Sequence, residues 1–166
     1  MDEENVYASP KSELSASDTE ATTQDFFPTS QAKLITLYIT TFGIYSVYWF
    51  YKNWKLQQPL IDKKINPALR SIFYIFFTHA LFKRVEQKSD EKGIKKSWNA
   101  NLLASLFVVL IIISNILDRF SAKSETISIV DYASVGIVFI LIWPLYLVQD
   151  VVNKINDDPN GEMNSS

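Results

Sequence analysis

The densest run of ligand-holding side chains lies between residues 45 and 55. There Tyr45, Tyr48, Trp49, Lys52, Trp54 and Lys55 interleave aromatic rings with ammonium groups. On a helix, Tyr45, Tyr48, Trp49 and Lys52 share one face at i, i+3, i+4 and i+7. Such a face has two uses. Its rings can sit at headgroup level while lysine stems reach for phosphates, as in an aromatic belt. Alternatively, the tyrosine hydroxyls and Lys52 and Lys55 form a discrete site for a lipid headgroup or another ligand. The belt is the simpler expectation.

Further cations follow at Lys63, Lys64, Arg70, Lys83 and Arg84, and these are candidate contacts for anionic headgroups or a protein partner. Glu86, Asp90 and Glu91 interrupt the basic run, which argues against nucleic acid as the polyanion. Gln149, Asn153 and Asn156 fall at i, i+4 and i+7, and Gln149 and Asn153 are candidate interhelical polar contacts. Solvation just past an apolar segment would suit them equally. The single histidine, His79, has no acidic neighbours at ligand spacing, so a hydrogen-bonding role is expected rather than a metal site. Cysteine is absent, which excludes disulfides and thiolate chemistry. No H-E-x-x-H, G-x-S-x-G, P-loop or dinucleotide-binding glycine turn occurs. The expected catalytic, metal and cofactor sets are therefore empty.

The elements that must position these residues are apolar. Uncharged runs cover residues 34–51, 71–82, 97–117 and 132–149. Eighteen helical residues rise roughly 27 Å, close to a hydrocarbon core of about 30 Å, whereas twelve rise only about 18 Å. Spans are therefore expected at about 34–51, 99–117 and 131–149. The short run belongs to a helix over 66–92, opened by Asn66-Pro67 and closed at Lys92-Gly93. That helix is expected in the membrane interface or as a re-entrant element packed on the spans; a fourth span is the alternative. Gly43 leaves the first run either a span or a bent hairpin with the N-terminus inside.

Charge is segregated along the chain. Residues 1–33 hold seven acids against Lys11 and Lys33, residues 52–98 hold eleven bases against four acids, and the rest holds three bases against seven acids. Basic loops stay cytoplasmic, so 52–98 is placed inside, 118–131 outside, the C-terminus inside and the N-terminus outside. Residues 1–28, acidic and rich in Ser and Thr, are expected to be a disordered tail, as are residues 159–166.

The stretch Thr41-Phe-Gly43-Ile-Tyr45-Ser-Val-Tyr48-Trp49-Phe-Tyr51-Lys52-Asn53-Trp54-Lys55 resembles the signature T-x-G-[IL]-Y-x-x-Y-W-x-Y-K-N-W-K. That signature marks a family of small bacterial integral membrane proteins with a domain of unknown function. A following Pro67, Arg70 and Phe73, and a Pro144-containing segment leading into Gln149 and Asn153, are similar to the same pattern. The resemblance implies class and location and no mechanism.

The resulting expectation is an all-α helical integral membrane protein of the bacterial inner membrane, with its helical domain over 29–158. Its partners are the lipid bilayer, anionic headgroups, and a membrane-protein partner or a second copy. A non-enzymatic scaffold or regulatory module is the leading reading. A small transporter or channel component and a lipid-modifying enzyme are the alternatives.

Overall fold

The structure, a computed structural model, describes residues 24–122 and 129–162. All regular structure among them is helical: α1 (Gln31–Thr40), α2 (Tyr45–Gln57), α3 (Pro67–Ile72), α4 (Tyr74–Glu91), α5 (Ala100–Ser121) and α6 (Ile129–Ile155), with a 3-10 turn at Gln58–Leu60.

Local chemistry sets most of the boundaries. Ser30 caps α1, its hydroxyl accepting from the Lys33 amide at 3.2 Å. Asn66 caps α3 by accepting from the Ala68 and Leu69 amides, and Pro67 supplies the first helical residue. Asn99 caps α5 through the Leu102 amide. Gly93, at φ +67°, terminates the α4 segment while the Ile94 amide reaches back to the Ser89 carbonyl at 2.8 Å.

Residues 34–51 do not make one helix, and this corrects the expected first span. The chain reverses after Thr40. Phe42 and Gly43 are both left-handed, at φ +49° and +85°, and the Gly43 amide bonds back to the Tyr38 carbonyl at 2.8 Å. Thr41 then caps the next helix, its hydroxyl accepting from the Tyr45 amide at 2.9 Å. The result is a helical hairpin. Its open end lies beside Gln149 and Asn153 of α6, where Thr29 and Trp49 are bonded. Its tip lies beside Val138 and Leu141. From Leu141 to Asn153 a helix rises about 18 Å, which is the depth of the hairpin along α6.

α5 and α6 are the long elements, at 22 and 27 residues. They rise about 33 and 40 Å. They run antiparallel, joined at one end by a Ser121–Asp131 hydrogen bond. Pro144 is accommodated inside α6, which remains helical from Ile129 to Ile155. These are the two helices among the described residues that are long and apolar enough to cross a membrane. The expected helix over 66–92 is also divided, because Phe73 (φ −96°, ψ 36°) separates α3 from α4. An aromatic cluster joins the short helices to α5: the Phe50 ring lies 5.1 Å from Tyr74, 6.5 Å from Phe82 and 6.3 Å from Phe107. Each such pair adds about 0.5–1.5 kcal/mol beyond simple burial.

Three further expectations are corrected at the chain ends. Residues 24–28 are not part of a loose tail, because Phe26 and Phe27 are buried in the core. Residues 1–23 lie outside the described residues. At the other end, Gly161 packs directly on the backbone of Thr29 and Ser30, so the C-terminal segment is held at least to residue 162. Finally, the Asp25 amide donates to Asn156 at 3.1 Å. The first described residues therefore stand at the same end of α6 as the last ones. The expected placement of the two chain ends on opposite sides does not provide for that contact between residues 25 and 156.

Three glycines give a graded test of the hairpin. Gly43→Ala meets both the left-handed backbone and the Tyr38 hydroxyl, 3.2 Å from the added carbon. Gly93→Ala meets the backbone cost alone, and Gly136→Ala, within α6, meets neither. The left-handed conformation costs a non-glycine residue about 1–2 kcal/mol, and a helical Gly→Ala change gains about 0.5–1 kcal/mol. Thermal unfolding in detergent should rank stability Gly136→Ala above wild type, then Gly93→Ala, then Gly43→Ala. A harmless Gly43→Ala would refute the tight reversal.

Candidate functional site

Helix α2 has an inner and an outer face, and the signature residues divide between them. Tyr45, Trp49 and Trp54 are buried, the two tryptophans completely. They cannot serve as headgroup contacts, which corrects that part of the expected belt. The outer face keeps Tyr48, which is exposed, Lys55, also exposed, and Lys52, half-buried with its ammonium 5.1 Å from the Phe27 ring and 6.0 Å from Tyr48. A 3.6-residue period shows which residues share a face; it cannot show that the face carrying Trp49 points inward.

The reason Trp49 points inward is a set of buried amides. Its Nε1–H donates to Gln149 Oε1 at 2.5 Å. Gln149 Nε2 donates to Asn153 Oδ1 at 2.6 Å and to the Phe27 carbonyl at 3.2 Å. Asn153 accepts from the Thr29 amide at 3.3 Å and donates to the Thr29 carbonyl at 3.0 Å. Asn53 accepts from the Phe27 amide at 3.1 Å, and Gln57 donates to the Asp25 carbonyl at 2.7 Å. Asn156 accepts from the Asp25 and Phe26 amides and donates to the Phe26 carbonyl at 2.8 Å. Five side-chain amides on α2 and just within or beyond α6 thus bind the backbone of residues 25–29 as a neighbouring strand would. Gln149 and Asn153 were singled out from sequence. The partnership of Asn53 and Gln57 was missed, although their spacing from Trp49 (i, i+4, i+8) placed all three on one stripe.

Around this latch lies the basic end of the bundle, and its cations form two groups. Lys88 pairs with Asp25 at 3.5 Å, Lys92 with Asp157 at 3.6 Å, Lys96 with Asp90 at 2.5 Å and Lys154 with Asp150 at 2.6 Å. Lys55, Lys63, Lys64 and Lys83 are exposed and, among the described residues, have no carboxylate within 4.0 Å. Arg70 and Arg84 are half-buried and likewise lack a carboxylate. The Arg70 guanidinium lies 4.3 Å from the Trp54 ring and 4.9 Å from Phe77. Burial, and secondarily the Arg84 charge, lower its pKa from the usual guanidinium value. It remains cationic at neutral pH.

Two other features are separate. His79 Nε2 lies 3.0 Å from Ser105 Oγ, joining α4 to α5. At the hairpin tip a cavity of about 260 Å³ is bounded by Tyr38, Ser46, Tyr74, Ser114, Asn115 and Asp118 together with apolar residues. No group of three or more His, Asp or Glu side chains suited to a metal occurs among the described residues.

The latch makes a direct prediction. Asn153→Leu leaves the Thr29 amide and carbonyl unpaired in a buried site, and Gln149→Leu does the same to Trp49 Nε1. An unsatisfied buried group costs about 1–3 kcal/mol. Hydrogen exchange should accelerate at the Phe27 and Thr29 amides in both variants, while helix content stays constant. Unchanged exchange would mean that apolar packing of Phe26 and Phe27 holds the segment without the amides.

No family model, curated protein or solved structure matches the chain.

Proposed function

We propose that the chain is a multi-pass protein of the bacterial inner membrane, acting as a non-enzymatic interaction module whose working surface is the basic cytoplasmic end. The observation that carries this reading is the outward face of the two long helices. Leu102, Val109, Ile112, Ile116 and Phe120 on α5 are exposed, as are Val135, Phe139, Ile140 and Trp143 on α6. Only 33% of the most apolar stretch of α5, and 39% of that of α6, is buried. A helix in a soluble core would be mostly covered. Here the uncovered side is largely apolar, which a bilayer would surround at little cost. Phe42 fits the same medium: it sits at the tip of the hairpin and is 77% exposed.

On this reading α5 and α6 span, their Ser121–Asp131 end faces outward, and the α1–α2 hairpin enters from the basic side to about half depth. Both ends of the described chain then lie in the cytoplasm, together with every base of residues 52–98, in accord with the positive-inside tendency. The exposed Lys55, Lys63, Lys64 and Lys83 are free to meet anionic headgroups, a membrane-protein partner or a second copy. The resemblance to the bacterial small membrane protein family points to the same compartment.

A second reading, a small transporter or channel component, is favoured by one feature, the polar-lined cavity at the hairpin tip. It requires solute flux into proteoliposomes that is altered by Tyr38→Phe or Ser114→Ala.

The native chain lacks cysteine, so single cysteines report topology directly. In intact spheroplasts an impermeant maleimide should label Ala122→Cys. It should label Lys63→Cys and Gln24→Cys only after permeabilisation. Labelling of Gln24→Cys from outside would overturn the hairpin placement. Release of the wild-type protein by alkaline carbonate would overturn membrane insertion altogether.

A further inference from the structure

An arginine side chain offers two π faces and an edge carrying five N–H donors. At Arg70 the nearby rings of Trp54 and Phe77 supply cation–π contacts. Among the described residues the edge is unused: no hydrogen bond or ion pair reaches that guanidinium. Arg84 is nearly as idle, with one long contact from Nη1 to Gln57 Oε1 at 3.4 Å. The four supporting residues lie on matching stripes. Trp54 and Gln57 are one turn apart on α2, and Phe77 and Arg84 are two turns apart on α4. Arg70, from α3, completes the group. Two neighbouring like charges are unfavourable as they stand, and an oxyanion between them would relieve that repulsion.

The surroundings narrow the anion. Arg84 also borders an open cavity of about 240 Å³, shared with Gln57, Leu60 and Lys88 and with the carboxylates of Asp25 and Glu91, both of which pair with Lys88. The α3–α4 segment presents Leu69, Ile72, Phe73 and Phe76, all more than half exposed, at i, i+3, i+4 and i+7. A free phosphate has no use for such a stripe, whereas acyl chains do.

We propose that Arg70 and Arg84 form a specific site for the phosphate of an anionic phospholipid of the cytoplasmic leaflet, with its acyl chains against the Leu69–Phe76 stripe. The site rests on the membrane placement above and adds to it a defined ligand chemistry. A bidentate guanidinium pair recognises phosphate by geometry as well as charge, which a scatter of exposed lysines does not. The loop cations Lys63 and Lys64 provide only the diffuse attraction that draws lipid toward this end.

The test uses the full chain in mild detergent, with lipid retention read by native mass spectrometry and by thermal shift. Dioleoyl phosphatidylglycerol should be retained saturably at one per chain, and dioleoyl phosphatidylcholine at least tenfold more weakly. Arg84→Gln and Arg70→Gln should each weaken phosphatidylglycerol binding tenfold or more. Arg70→Lys keeps a cation beside the rings but loses the fork, and should also lose most of the binding at unchanged helix content. A Lys95→Gln variant, at an exposed lysine outside the site, should stay within twofold of wild type. Equal retention of the two lipids, or equal sensitivity to the lysine and arginine changes, would overturn the site. Displacement of the lipid by millimolar inorganic phosphate would overturn its assignment to lipid in favour of free phosphate. Carbonate extraction of the same variants separates the two readings. If the arginine variants lose lipid yet stay in the membrane fraction, the site is lost and the placement stands. If wild-type protein is itself extracted, the placement is what fails.

Discussion

A buried amide must find a partner, and in this chain that need organises the basic end of the bundle. Asn53, Gln57, Gln149, Asn153 and Asn156 project from α2, α6 and the turn after α6 toward one another. Without an intervening chain most of their donors and acceptors would be unsatisfied in a low-dielectric site. Residues 25–29 supply the complementary backbone groups, so each side of the contact answers the other's requirement. The consequences spread outward. Phe26 and Phe27 are carried into the core, Thr29 fixes where α1 begins, and Trp49 is turned away from the surface. Gly161 then closes over Thr29, where no larger residue fits.

What the sequence discloses follows from which signals are local. Asn66-Pro67 and Lys92-Gly93 mark the start of α3 and the end of α4, because capping chemistry is written in adjacent residues. The 22 residues of α5 were legible to within a few positions because apolar length is a local count. The hairpin was legible only as the alternative that Gly43 leaves open. An uncharged run of eighteen residues looks the same whether it crosses once or turns back, and the decision rests on two successive left-handed residues and a Thr41 cap. The latch was half legible. The amide stripe on α6 stood out against apolar neighbours, while its partner was hidden in an acidic stretch whose average composition argued for disorder. Phe26-Phe27 was the one signal that could have found it.

The same distinction explains the cations. Charge counting finds eleven bases over residues 52–98 but cannot separate those that hold the fold from those left over. Lys88, Lys92 and Lys96 are engaged with carboxylates on the α4 side of the bundle. Arg70 and Arg84 are engaged with rings and an amide instead. Position in three dimensions, rather than density along the chain, sets which charges remain available.

The hairpin's limited depth has a consequence for overall shape. Along the lower part of α6 the body is built from α1, α2, α4, α5 and α6, whereas beyond the hairpin tip, among the described residues, only α5 and α6 continue. The molecule is therefore a wedge, broad where its bases are and narrow at the opposite end. In the proposed placement such a body displaces more area from one leaflet than from the other. It would be accommodated most easily where the bilayer bends away from the broad face, so curvature itself becomes a factor in where the protein accumulates.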